Sequence, residues 1–334
     1  MDPLDLVGLA RALIDIDSTT GREADAGRFL AARLRALGWS VAEQRVDGER
    51  ANLFATRGAA PLIVMSTHYD CVPPFIPSSQ RDGVLYGRGA CDAKGILAAQ
   101  VAAAEALASS GERRVGLLFV VGEERGSDGA RVAGKAPPGS RYLVNGEPTD
   151  NRLGIATKGA ARYSLRATGR AAHSAYPDRG ESAIEKLIDA LVALRTMDWP
   201  VDPDLGATTY SVGLISGGVA PNVIPPAASA ELMFRTVGDA GELRRRLEPL
   251  EARVDIVPGL EVPCVRLHTV PGIESAVFSF TTDVPFLAGW GRPLLLGPGS
   301  IHVAHTAHER VPVSDLEQAV ALYITLVRQL LEAP

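Results

Sequence analysis

Cysteine is scarce in this chain, and so are basic clusters and long apolar runs. The three cysteines, Cys71, Cys91 and Cys264, are too few and too scattered for a disulfide framework, which points to a reducing compartment. No stretch reaches the about 18 consecutive apolar residues of a membrane-spanning helix. The start, Met1-Asp2-Pro3-Leu4-Asp5, is acidic and lacks the apolar core of a secretion signal, so a cytoplasmic protein is expected. The formal net charge is −5, and no Lys/Arg stripe with interleaved aromatics occurs. That argues against nucleic acid or an anionic membrane as partner. The one basic run, Arg244-Arg245-Arg246, falls inside a helical pattern and reads as a solvated face.

What is present suits a soluble enzyme of two domains, because 334 residues exceed what one core usually serves. Helical and strand patterns alternate through the first half. Ala24 to Leu37 is helical and stops at Gly38; Pro61 to Met65 reads as a strand buried on both faces and runs into Ser66-Thr67-His68. Ala93 to Ser109 is an alanine-rich helix. Val115 to Val121 is a second buried strand running into Gly122-Glu123-Glu124, and Tyr142 to Val144 a third running into Asn145-Gly146-Glu147. Leu294 to Leu296 leads into Gly297-Pro298-Gly299, and Asp315 to Leu331 closes the chain as a helix. The expectation is an α/β domain with a mostly parallel sheet covered by helices on both faces, formed by residues 1–159 and 269–334. Between these segments the pattern changes. Ala161 to Thr168 and Ser229 to Arg235 alternate as half-exposed antiparallel strands, with helical stretches at Ser182 to Thr196 and Asp239 to Leu250. The implied order of strand, helix, strand, strand, helix, strand predicts an inserted α+β ferredoxin-like domain over residues 160–268.

The polar residues with chemical capacity gather at strand ends. In open α/β sheets, sites form outside the carboxyl ends of the strands. His68 and Asp70, the pair Glu123-Glu124, and Glu147 all follow such ends, while Asp92 precedes a helix and alone would read as an N-cap. Three of the six histidines, His302, His305 and His308, fall close together near the C-terminus. Several carboxylates converging on one edge repel one another unless something cationic compensates. A pair of divalent ions supplies that charge, with His nitrogen and carboxylate oxygen as donors and one carboxylate bridging ions about 3.5–4 Å apart.

Four ordered motifs carry a family resemblance over essentially the whole chain. They are Ser66-Thr67-His68-Tyr69-Asp70-Cys71-Val72-Pro73, Gly87-Arg88-Gly89-Ala90-Cys91-Asp92-Ala93-Lys94-Gly95, Gly122-Glu123-Glu124 and Gly146-Glu147-Pro148-Thr149. Together they resemble the dinuclear zinc peptidase and deacylase family that includes acetylornithine deacetylase, succinyl-diaminopimelate desuccinylase, carboxypeptidase G and aminoacylase. The resemblance implies His68 and Glu147 on one metal, Glu124 and His305 on the other, and Asp92 bridging both. Zn²⁺ is the first expectation, with Co²⁺ or Mn²⁺ as alternatives. Asp70 would orient His68 through its second ring nitrogen, and Glu123 would be the general base and proton shuttle. Ala304-His305-Thr306-Ala307-His308-Glu309 follows the family's last His motif, except that His308 stands where Asp or Asn is usual. His302 and His308 are therefore rivals to His305.

The resemblance extends to the inserted domain. His173, in Gly169-Arg170-Ala171-Ala172-His173-Ser174, would stabilise the oxyanion, and in dimeric relatives it reaches the partner's active site. Asn222, Arg235 and the backbone at Gly299 would hold the substrate, with the Arg235 guanidinium gripping a carboxylate. The implied reaction is hydrolysis of an amide beside a free carboxylate, with an acetylornithine-type N-acyl-amino-acid deacetylase as the first expectation. The alternatives are a dipeptidase, carboxypeptidase or desuccinylase of the same family. A homodimer formed through residues 160–268 is also expected. Two readings of other classes compete. A non-catalytic amino-acid or peptide binder would have no use for Glu123, and a dinuclear phosphoesterase would not call for a free Glu-Glu pair after a strand.

Overall fold

A computed structural model describes residues 4–58 and 60–333 and divides into two compact units. The first comprises residues 1–155, 267–276 and 282–334; the second comprises residues 156–266 and 277–281.

The first unit is built on a six-stranded sheet in the order Ser40–Asp47, Arg50–Thr56, Val115–Val120, Ile63–His68, Tyr142–Asn145, Arg292–Leu295. The last four strands are mutually parallel, and the first two form an antiparallel hairpin on one edge. Every residue of Ile63–His68, Val115–Val120 and Tyr142–Asn145 is buried, as strands covered on both faces must be. Alternation along each strand sends its side chains to two cores. Ile63, Met65, Leu117, Phe119 and Val144 pack with helices Leu6–Ile14, Ala24–Ala36, Lys94–Ser109 and Val313–Glu332. Val64, Leu118, Val120 and Leu143 pack with Ala130, Ala133, Leu287 and Trp290 on the other face. The buried helix Lys94–Ser109 is alanine-rich because it lies close to the sheet. All three central strands finish at the same edge, which brings His68, Gly122-Glu123-Glu124 and Gly146-Glu147 together.

The second unit has a four-stranded antiparallel sheet in the order Thr209–Gly217, Ala227–Thr236, Gly159–Thr168, Asp255–Val262, with helices Ala183–Arg195 and Ala240–Leu247. This is the strand order of a ferredoxin-like sandwich. Leu165, Leu232, Phe234, Leu187 and Leu194 lie in its core. Helix Ala183–Arg195 starts where Ser182 accepts a hydrogen bond from Glu185 N, a cap legible in the sequence. The helical stretch read over Asp239 to Leu250 is two pieces, Ala240–Leu247 and a 3₁₀ turn Glu248–Ala252, because Pro249 removes an amide donor from the continuing helix.

Candidate metal centre

Two groups of three donors converge at the sheet edge of the first unit. His68, Asp92 and Glu147 form one, and Asp92, Glu124 and His305 the other; within each group the donor atoms lie within 4.8 Å of one another. Asp92 belongs to both, and its two oxygens face different histidines. Oδ1 is 3.0 Å from His68 Nε2, and Oδ2 is 3.2 Å from His305 Nε2. His305 Nε2 is also 3.1 Å from the Glu124 carboxylate. Neither His302 nor His308 joins such a group among the described residues. His305 stands at φ +61°, a left-handed residue in the turn that carries all three histidines.

Asp70 supports both sides of the centre. His68 Nδ1 lies 3.0 Å from the Asp70 backbone oxygen and 3.4 Å from its carboxylate. The carboxylate oxygens are mainly engaged elsewhere: they accept from Glu123 N at 3.1 Å, Glu124 N at 3.3 Å and the Thr20 hydroxyl at 2.8 Å. The expected orientation of His68 thus runs chiefly through the Asp70 main chain, while the Asp70 side chain anchors the Glu123-Glu124 turn. Gly122, at φ +71°, makes the reversal that presents this turn.

The electrostatics follow from packing several carboxylates into little solvent. Desolvation, reinforced by the charge of Glu147, pushes the Glu123 carboxyl well above the usual range, and desolvation raises Glu147 and Glu124 too. Burial opposes charge on His68, but pairing with Asp70 and Asp92 outweighs it and raises its pKa. Hydrogen bonds to Asp92 and then Glu124 push His305 up to about 10. Burial works against ionised Asp92, yet the two histidines hold its pKa below the usual range. Buried carboxylates in mutual proximity favour any cation brought among them.

Glu147 Oε1 is buried without a hydrogen-bond partner among the described residues. Such an oxygen is costly unless something positive meets it. Two imidazoles and three carboxylates, one shared, match the donor chemistry of two divalent ions, and zinc takes these donors. Among the described residues Glu123 is in neither donor group; it is half-buried, and its backbone N donates to Asp70 Oδ1.

Glu309 and Asp283 carry no role in the sequence motifs, whereas Gly299 was expected to contact substrate. Glu309 is buried and binds Arg88 and the loop preceding Asp92; its signal was its place at the end of the last His motif. Asp283 is buried with Oδ1 unpartnered, and burial pushes its pKa up to about 6. No sequence motif marked it. Gly299, at φ +79°, packs so closely on Cys91 that a Cβ would lie 2.7 Å from the Cys91 Cβ.

The remaining site residues expected from the sequence lie in the second unit. His173 is exposed, and its Nδ1 accepts from Ala175 N at 3.1 Å, leaving the Nε2–H as a free donor. Its segment runs beside that of Asn222, with Ser174 N donating to Asn222 O at 3.0 Å. Arg235 is half-buried on Ala227–Thr236 and makes no side-chain hydrogen bond or ion pair among the described residues.

Comparisons with known proteins bear on the whole chain. Residues 64–329 match Peptidase family M20/M25/M40. A peptidase M20 domain-containing protein of Schizosaccharomyces pombe is 35% identical, covering 96% of this chain and 84% of its own length. A protein of Emericella nidulans named "probable carboxypeptidase" is 36% identical, covering 99% and 91%. Among solved structures, aminopeptidase PepT of Bacillus cereus superposes with a TM-score of 0.84 at 21% identity, covering 99% and 100%. A dinuclear metal-binding peptidase of Bacillus subtilis superposes with a TM-score of 0.72 at 16% identity, covering 98% of each chain.

Proposed function

The chain belongs to peptidase family M20/M25/M40 and is a metal-dependent hydrolase of amide bonds; from that premise we propose that it holds two divalent cations and cleaves an amide beside a free carboxylate in a short peptide or N-acyl amino acid. The observation that carries this reading is Asp92, shared by two donor triads with one oxygen toward each histidine.

His68, Asp92 and Glu147 would hold one ion, and Asp92, Glu124 and His305 the other. When bound, the ions would polarise the scissile carbonyl and acidify a water. Glu123 takes the proton from the attacking water and returns it to the leaving amine, a role suited to a carboxyl whose proton affinity is raised by desolvation. Asp70 keeps Glu123 in place by accepting its amide hydrogen. In the second unit, His173 offers an Nε2–H for the developing oxyanion. Arg235, half-buried and unpaired, and Asn222 are proposed to receive the substrate carboxylate. Gly299 is proposed to offer its backbone to the same end.

The relatives named "probable carboxypeptidase" favour a peptide substrate. The acetylornithine-type deacetylation expected from the sequence is the second reading, resting on the compactness of the chain. A screen of N-acetyl and N-succinyl amino acids, dipeptides and longer peptides, each with free and amidated carboxyl ends and with Zn²⁺, Co²⁺ or Mn²⁺ added, separates the two. Equal cleavage of free and amidated substrates would remove the carboxylate requirement. Turnover of phosphate esters alone would overturn the amide reading.

A further inference from the structure

We propose that Glu309 is the positioning residue that couples the two halves of the metal centre, by tying the backbone that carries Asp92 to the segment that carries His305. This rests on the two-cation reading above. Glu309 follows His305 by four positions, and its side chain is fully buried. Its carboxylate gathers donors from a single loop: Arg88 Nη1 at 2.6 Å, Gly89 N at 2.9 Å, Asp92 N at 3.2 Å and Cys91 N at 3.3 Å. Its own backbone oxygen accepts from Gly87 N at 3.2 Å.

Three main-chain N–H groups aimed into one buried space make a nest for an anion, and each would be costly to leave unpaired. Arg88 makes the anion a carboxylate rather than a neutral acceptor, because a buried guanidinium needs a counter-charge. Glu309 is in neither donor triad, so it acts on the metal centre through Asp92.

The tie is not symmetric between the two triads. His68 ends the strand Ile63–His68, paired with Val120, and Glu147 lies two residues beyond Tyr142–Asn145, next to Gly146, whose N donates to Ser66 O at 2.7 Å; none of these pairings involves Glu309. His305 lies in a turn and its side chain is 49% exposed. Loosening Glu309 frees the Asp92 backbone and the His305 turn together, which takes two of three donors from the Asp92–Glu124–His305 triad. The other triad keeps its two strand-held donors.

The test is titration of metal-free full-length wild type and Glu309→Gln with Zn²⁺ by calorimetry, alongside melting of both metal-free proteins. The wild type is expected to take two equivalents. In the variant, the second equivalent is expected to bind about 10- to 100-fold more weakly, the range seen when a ligand's outer support is removed. The first equivalent should stay near wild type, while the metal-free melting temperature falls because the buried Arg88 guanidinium loses its counter-charge. Two equivalents bound as in wild type overturn the proposal. So does equal weakening of both equivalents, which would make Glu309 a general stabiliser. If Glu309→Gln does not fold, the charge-balanced pair Arg88→Met with Glu309→Gln is titrated and judged by the same outcomes. A wild type that binds fewer than two equivalents overturns the two-cation reading and this proposal with it.

Discussion

At the scale of single residues, the adjacent carboxylates Glu123 and Glu124 differ in placement, because only Glu124 joins a donor group with His305 and Asp92. Glu123→Gln is expected to keep both metal equivalents and to lose about 10²- to 10⁴-fold in kcat, the usual contribution of a positioned acid–base. Metal analysis paired with steady-state kinetics checks this, and loss of metal from Glu123→Gln would exchange the two roles. His305→Ala should lower metal content, while His302→Ala and His308→Ala should not. An equal loss in His308→Ala would mean that the turn presents a different imidazole. The last His motif contained Glu309 but gave no sign of its partners, and no motif marked Asp283. Both are buried, and Glu309 meets a loop more than 200 residues away, a contact that leaves no periodic trace.

At the scale of elements, the base-bearing turn depends on a left-handed residue and an acidic cap. Gly122 stands at φ +71°, and a Cβ there would lie 2.6 Å from Arg50 Nη2. That guanidinium is paired with buried Glu23 at 2.8 Å. Gly122→Ala therefore combines an unfavourable backbone with a disturbed ion pair, and the backbone part alone costs about 1–2 kcal/mol. Urea unfolding of the variant should show a lower midpoint; an unchanged midpoint would mean that the turn tolerates a side chain. The buried parallel strands were legible because continuous apolar runs ending in polar residues have few other readings. The hairpin Ser40–Asp47 with Arg50–Thr56 was not, because charged Glu43, Arg45 and Asp47 fill its edge strand and its stability comes from pairing with Val115–Val120. The 3₁₀ segment Val284–Trp290, which seals one face of the sheet, likewise has no helical period to announce it.

At the scale of the whole molecule, metal and stability should be linked. Ions that bind only the folded chain stabilise it by about 2.7 kcal/mol per site at a free concentration 100 times Kd. Chelation should therefore lower the melting temperature of the wild type, and lower that of Glu124→Gln by less; identical shifts would place the stabilising ion outside the Glu124 group. Association is a separate proposal. On the edge strand Thr209–Gly217 of the second unit, Leu214 is 69% and Ile215 63% exposed. An apolar edge strand is a template for pairing with another chain. We propose a homodimer through this unit, with Leu214→Lys together with Ile215→Lys shifting the mass measured by light scattering to that of a monomer. A monomeric wild type would refute it.

The order of motifs and hydrophobic periods pointed to the fold class and the inserted βαββαβ pattern, and the family resemblance proposed His68, Asp92, Glu124, Glu147 and His305 as donors. Those properties are local: they depend on which residue types follow a buried strand and at what spacing. The fold alone showed that Asp92 presents one oxygen to each histidine, how the expected His305 and Asp70 reach the centre, and that Glu309 binds the loop before Asp92. These depend on distances across segments up to 217 residues apart, as between Glu309 and Asp92. Such distances come from the packing of strands and loops in three dimensions, and spacing along the chain carries no information about them.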